Sequence, residues 1–185
     1  MSELSVDQRK IVFFPDPVLR AVAKPVEAFG PDLHRLADRM FELMRAEKGV
    51  GLAAPQVGVS IRLFVCNPTG KPEDDLVCVN PQLFELTGAA EHEEGCLSIP
   101  DVKVTMRRSK HALLRAHDAD GQPFERAGTD LPARIWQHEI DHLNGRLILD
   151  FMSATDDIAN RKAIQKLRAD YSPPKTTKPP TPRRR

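Results

Sequence analysis

The chain has 185 residues, 41% of them hydrophobic, with 27 basic and 26 acidic side chains for a formal net charge of +1. That is enough for one well-buried core, while no stretch approaches the ~20 apolar residues of a membrane span. Residues 1–10 carry both charge signs, unlike a secretory signal or transit peptide. Three cysteines in such a chain point to reduced thiols and a cytoplasmic setting rather than a disulfide framework.

In chain order, residues 11–14 (Ile-Val-Phe-Phe) read as a short strand entering the turn Pro15-Asp16-Pro17. Between 32 and 47 the apolar positions Leu33, Leu36, Met40, Leu43 and Met44 recur at spacings of three and four. This predicts an amphipathic helix packed on the core. The run from Gly49 to Gly58 is too short and too rich in small residues for a strand. It also lacks the third glycine of a dinucleotide loop and the Gly-Lys-Ser/Thr of a phosphate loop. Its glycines are expected to let backbone approach a ligand closely. Residues 61–66 and 76–79 read as buried strands carrying Cys66 and Cys78 as small hydrophobes. Cys96 differs: it follows an acidic pair and a glycine, at a strand or loop edge where a side chain can enter a cleft. Residues 102–106 and 111–116 read as strands separated by Arg107, Arg108 and Lys110, and Asp118-Ala119-Asp120-Gly121 is a hairpin-turn signal.

The run Gln137-His138-Glu139-Ile140-Asp141-His142 carries the most chemistry. Thr129 or Asp130 is the expected helix N-cap, with Pro132 in the first turn and Gly145 just beyond the C-terminus. On such a helix His138 and His142 lie one above the other, so both imidazoles point the same way. With His138 at 0°, Glu139 falls near 100°, and Trp136, Ile140 and Leu143 cluster at roughly 140–200° as an apolar back. Asp141 projects about as close to the ligand face as Glu139 does, so the projection alone does not choose the catalytic carboxylate. The mechanics of the two-histidine, one-glutamate motif give the acid–base role to the residue after the first histidine. Asp141 then reads as an ion-paired residue that orients a ligand or an arginine.

The third ligand decides the class. A histidine ten positions after the first is excluded, because position 148 is Ile148, and no glutamate occurs from residue 140 onward. Upstream, Cys96 is the strongest remaining donor, since one thiolate with two imidazoles makes a soft tetrahedral site with its fourth position open. A final helix is expected over 155–170, and the order of elements suggests an α+β fold. In it, antiparallel or mixed sheets pack around the central metal-binding helix, with one helix on the N-terminal side and another on the C-terminal side. Residues 171–185 carry five basic residues, no acid and five of the 16 prolines. Without them the body holds 22 basic residues against 26 acidic ones. That segment is expected to be a disordered tail to a catalytic domain spanning residues 1–170, either solubilising or an electrostatic arm.

GVGLAAPQVG at 49–58, EGCLSIP at 94–100 and QHEIDHLNG at 137–145 together resemble, in order and spacing, the signature motifs of the peptide deformylase family. The likeness runs from about residue 11 to about residue 167 and includes PDPVLR at 15–20. The resemblance implies a hydrolase that removes the formyl group from the N-terminal formyl-methionine of nascent polypeptides. It implies one divalent metal, Fe²⁺ first, with Zn²⁺, Ni²⁺ or Co²⁺ as alternative occupants, held by Cys96, His138 and His142. Glu139 would be the general base and then the general acid. The backbone N–H of Leu97 and the amide of Gln56 would hold the oxyanion, and Gly51 and Glu94 would bind substrate. Partners would be N-formyl-methionyl nascent peptides and, transiently, the ribosome, with neither a membrane nor a stable nucleic-acid complex. The methionine pocket would be lined by Ile135 and its neighbours. Lys103, where many relatives carry arginine, and Trp136, before Gln137, depart from the common pattern. Rival readings are a metallopeptidase acting on unformylated peptides and a non-catalytic metal-binding module.

Overall fold

The computed structural model describes residues 5–173. Seven strands and three α-helices form two antiparallel sheets with a helix between them. The larger sheet has the order β1-β2-β3-β6-β7, from β1 (Gly51–Ala53), β2 (Leu63–Cys66), β3 (Leu76–Thr87), β6 (His111–His117) and β7 (Pro123–Thr129). The smaller is a hairpin of β4 (Ala90–Cys96) and β5 (Ile99–Arg108). Every strand pair is antiparallel, and the only parallel pairing among the described residues is an isolated bridge between Lys24 and Ile61. This is the expected α+β arrangement.

Helix α1 (Pro31–Ala46) buries Leu33, Leu36, Met40 and Met44 as its spacing requires, and it packs with Leu52, Leu63 and Val65 of the large sheet. Gly30, at φ 146°, adopts a backbone that favours glycine, and Pro31 opens the first turn. Helix α2 (Leu131–Leu143) turns Trp136 and Leu143 into a second cluster with Phe64, Cys66, Cys78 and Leu114. Helix α3 (Ala154–Asp170) begins with Ser153 capping the Asp156 N–H, and Ile164 on it joins Val102, Val104 and Met106 of β5.

Four departures from the sequence reading have physical causes. Residues 11–14 form no strand, because Pro15 and Pro17 end any ladder. They bond to the backbone of other elements instead, with Val12 N–H donating to Gln56 O at 2.8 Å and Phe14 N–H to Ser98 O at 2.9 Å. The glycine-rich run contains the short edge strand β1, since its partner β2 supplies the ladder that small residues alone do not favour. Strand β3 continues past Val79 because register shifts absorb Asn80 and Glu85, both at φ 51°. Strand β4 is mostly exposed and polar, so it gave no apolar signal. At α2, Asp130 takes the N-cap position, but its side chain makes no capping bond.

Gly128 of β7 sits against the indole of Trp136, where an added Cβ would lie 2.5 Å from Cη2 and 3.2 Å from Pro132 Cβ. A rigid ring pinned in the core cannot yield. Gly128→Ala should therefore lower stability by about 1–3 kcal/mol, read as a fall in the urea midpoint of unfolding; an unchanged midpoint would show that the ring shifts freely.

Candidate active site

A cleft of about 420 Å³ opens between β1, the β4–β5 hairpin and α2, lined among others by Gly51, Gln56, Glu94, Cys96, Leu97, Ile135, His138 and Glu139. Cys96 ends β4, while His138 and His142 lie one turn apart on α2. One donor atom from each of the three lies within 4.8 Å of the others, and Cys96 Sγ is 3.3 Å from His142 Nε2. The two imidazole centroids are 5.0 Å apart and nearly edge to face. The helix front read from the sequence as polar is thus largely covered by protein: Glu139, Asp141 and His142 are all buried.

A buried ion-pair network sets this geometry. Arg108, at the end of β5, donates from Nε and Nη2 to Glu94 Oε1 and Oε2 at 2.8 and 2.9 Å, and from Nη1 to Asp141 Oδ2 at 2.7 Å. Asp141 also pairs with Arg146 at 3.0 Å, in keeping with the ion-paired role read for it. Glu94 Oε2 meets His138 Nδ1 at 3.0 Å, which leaves Nε2 as the free donor of that ring. Burial alone would raise the Glu94 carboxyl, but hydrogen bonds from His138 and Arg108 hold it down to about 2. Glu94 was read as a substrate-binding residue. Both of its side-chain oxygens bond to protein groups, Arg108 and His138, while the residue also lines the cleft.

Gln56 lies in the 3₁₀ turn after β1 (Ala54–Val57) and is almost wholly buried. Ala53 N–H donates to its Oε1 at 2.8 Å, and because a backbone N–H only donates, the amide nitrogen must face the other way. That Nε2 lies 3.5 Å from Cys96 Sγ and 3.3 Å from Ser98 Oγ. Leu97 occupies the tight turn between β4 and β5, where its N–H meets no acceptor among the described residues. Gly51 is required for packing: a Cβ there would overlap the Glu139 carboxylate, with Cδ at 2.9 Å, and press Ile135 Cγ2 at 2.9 Å. The close approach expected of this glycine is therefore first of all to Glu139.

The donor chemistry fits a divalent cation. Burial keeps His142 neutral by pushing its pKa well below the usual value, and it lifts the Cys96 thiol up to about 12. A thiolate at that place needs a cation beside it. Burial also pushes Glu139 well above the usual carboxylate range, and its Oε2 has no partner among the described residues. Such an atom suits a carboxyl that exchanges protons with a reactant.

Sequence reasoning missed Arg108 and Ser98. The signal for Arg108 was present: Val102, Val104, Met106 and Arg108 alternate as buried positions of β5, so period two places the guanidinium inside. Lys103, the noted departure, lines the cleft mouth and faces Glu93 at 3.8 Å.

Comparison with known proteins agrees with this geometry. The sequence profile of the family described as polypeptide deformylase matches residues 8–157. A peptide deformylase of Acidobacterium capsulatum is 45% identical over 148 residues, covering 79% of this chain and 87% of its own. The crystal structure of a peptide deformylase from Legionella pneumophila superposes with a TM-score of 0.82 at 43% identity, covering 89% of this chain and 99% of that one. Arabidopsis thaliana peptide deformylase 1B, solved with an inhibitor, gives a TM-score of 0.82 at 38% identity, with 88% and 91% covered.

Arg108→Met should cost about 3–5 kcal/mol, because it leaves the buried Glu94 and Asp141 carboxylates without their counter-ion. Equilibrium unfolding measures this; a loss below 1 kcal/mol would mean that water replaces the guanidinium.

Proposed function

The chain belongs to the polypeptide deformylase family, and from that premise we propose that Cys96, His138 and His142 hold one divalent metal while Glu139 moves the proton of the reaction. The enzyme removes the formyl group from the N-terminal formyl-methionine of newly synthesised polypeptides, hydrolysing an amide with a metal-activated water and a glutamate base. What most supports the residue assignment is the meeting of three ligand atoms within 4.8 Å beside the buried Glu139 and the inward-facing Gln56 amide.

When bound, a divalent metal supplies Lewis acidity, polarising the formyl carbonyl and making water acidic enough to lose a proton near neutral pH. Glu139 Oε2, the carboxylate oxygen without a protein partner, takes the proton from the attacking water. As the new C–O bond forms, the formyl oxygen gains charge. Gln56 Nε2 and the Leu97 N–H, both on the Cys96 side of the cleft, donate to it. Glu139 then gives the proton to the departing amine nitrogen as the C–N bond breaks, releasing formate and the free N-terminus. The residues around Gly51 offer a backbone edge on which the extended peptide is held by strand addition. The apolar side chains of Leu131 and Leu97, half-buried, and of the buried Ile135 receive the methionine.

We propose Fe²⁺ as the resident ion, with Zn²⁺, Ni²⁺ and Co²⁺ as occupants the same donors accept. At equal supply the Irving–Williams order favours zinc over iron, so occupancy follows availability. We assign the catalytic unit to residues 1–170 and a cytoplasmic setting, where Cys96 stays reduced as a ligand. Transient ribosome contact is proposed for the basic stretch 171–185, of which residues 174–185 lie outside the described residues. Deleting it should weaken cosedimentation with ribosomes; unchanged cosedimentation disposes of that role.

Metal-loaded protein, handled anaerobically, should release formate from a formyl-Met tripeptide. Glu139→Gln should abolish turnover while keeping the metal, and Gln56→Leu should lower turnover by ~10²–10³ through loss of one oxyanion donor. A parent enzyme that cleaves unformylated peptides instead would sink the assignment.

A further inference from the structure

We propose that Arg134 is a specificity residue whose guanidinium recognises a carboxylate side chain, Glu or Asp, at the third position of the formyl-methionyl peptide. The inference rests on the deformylase reading of the same cleft and adds a preference to it.

Arg134 lines the cleft and is half-buried. It lies four residues before His138 on α2, so the two share a face about one turn apart. Its neighbours in the cleft wall are Leu131 and Ile135. Among the described residues its side chain has no hydrogen bond or ion pair. Lys103, also in the lining, differs by facing Glu93, and Arg108 behind the cleft is saturated by two carboxylates. Lys48, at the rim, also lacks a partner among the described residues. The rim thus holds Lys48, Lys103 and Arg134 against Glu93 and Asp101, a net positive mouth. A guanidinium has five donors and no acceptor, and held half out of water beside a substrate path it favours an incoming carboxylate.

The position in the peptide follows from strand geometry. Side chains of an extended chain alternate, so residues one and three face the same side, about 6.6–6.8 Å apart. The methionine side chain faces Ile135 and Leu131 on α2, so the third side chain also faces α2. Arg134 stands on that same stretch of α2, between Leu131 and Ile135 in sequence, and lines the cleft with them. The aliphatic stem of Arg134 can lie along the apolar wall while its head reaches the third residue. The second residue points away from α2.

The test is kcat/KM for formate release from formyl-Met-Ala-Xaa amides with Glu, Gln or Lys as the third residue, and from the matching set varied at the second residue. Amidated ends keep the terminal carboxylate out of the comparison. At low salt, Glu should exceed Gln at the third residue by about three- to fivefold, the upper range for a half-exposed pair. Lys should fall below Gln, the effect should sit in KM, and salt should erase it. Arg134→Gln should bring the Glu-to-Gln ratio to near one, Arg134→Lys should keep part of it, and Arg134→Glu should reverse it in favour of Lys. A ratio near one in the parent enzyme, an undiminished ratio in Arg134→Gln, or a preference confined to the second residue would overturn the inference while leaving the deformylase reading intact. Absence of formate from every peptide would overturn the deformylase reading, and this inference with it.

Discussion

One guanidinium holds the site together. Arg108 reaches from β5 to Glu94 on β4 and Asp141 on α2, with all three side chains at most 10% exposed. Two carboxylates so far from water are tolerable only with cations beside them, Arg108 between the pair and Arg146 on the outer oxygen of Asp141. That condition fixes the hairpin against the helix. Cys96 lies two residues beyond Glu94 on the same strand, His138 takes its orientation from Glu94 Oε2, and His142 follows Asp141 directly. The three candidate ligands come from two elements, and the same buried network stands behind both.

Around that anchor the reacting side chains are buried, and burial sets their chemistry. Burial favours neutral His142, a protonated Cys96 and a proton on Glu139, so an added cation changes the balance of all three. Gln56 completes the site beside Cys96, its amide direction dictated by the Ala53 N–H. The segment at residues 11–14 ties Gln56 O and Ser98 O together. Both walls are thereby held by backbone, away from the reacting atoms.

Much of this was legible in the sequence, and for stated reasons. The i, i+4 histidines, the apolar back carrying Trp136 and Leu143, and the spacing of Leu33, Leu36, Met40 and Met44 are local patterns that a helix turns directly into faces. Cys96 could be found by eliminating other ligands because its neighbours differ from those of Cys66 and Cys78. What stayed hidden depends on pairing across the chain. Strand β1 exists because β2 lies beside it, and Gly51 is small because Glu139 packs on it. That Glu94 bonds Arg108 and His138 as well as lining the cleft was not legible until Arg108 appeared beside it. Alternation along β5 would have placed Arg108 inside, but an arginine beside Arg107 reads as solvated until its counter-ions are known.

The central claim is that one thiolate and two imidazoles, brought together by this network, bind a single metal. X-ray absorption at the zinc edge of stoichiometrically zinc-loaded protein tests it most directly. The account predicts one sulfur at about 2.3 Å and two nitrogens at about 2.0–2.1 Å, with the rest of the shell light atoms, and loss of the sulfur scatterer in Cys96→Ser. A shell without sulfur in the parent protein, or one unchanged by removing Cys96, would contradict it.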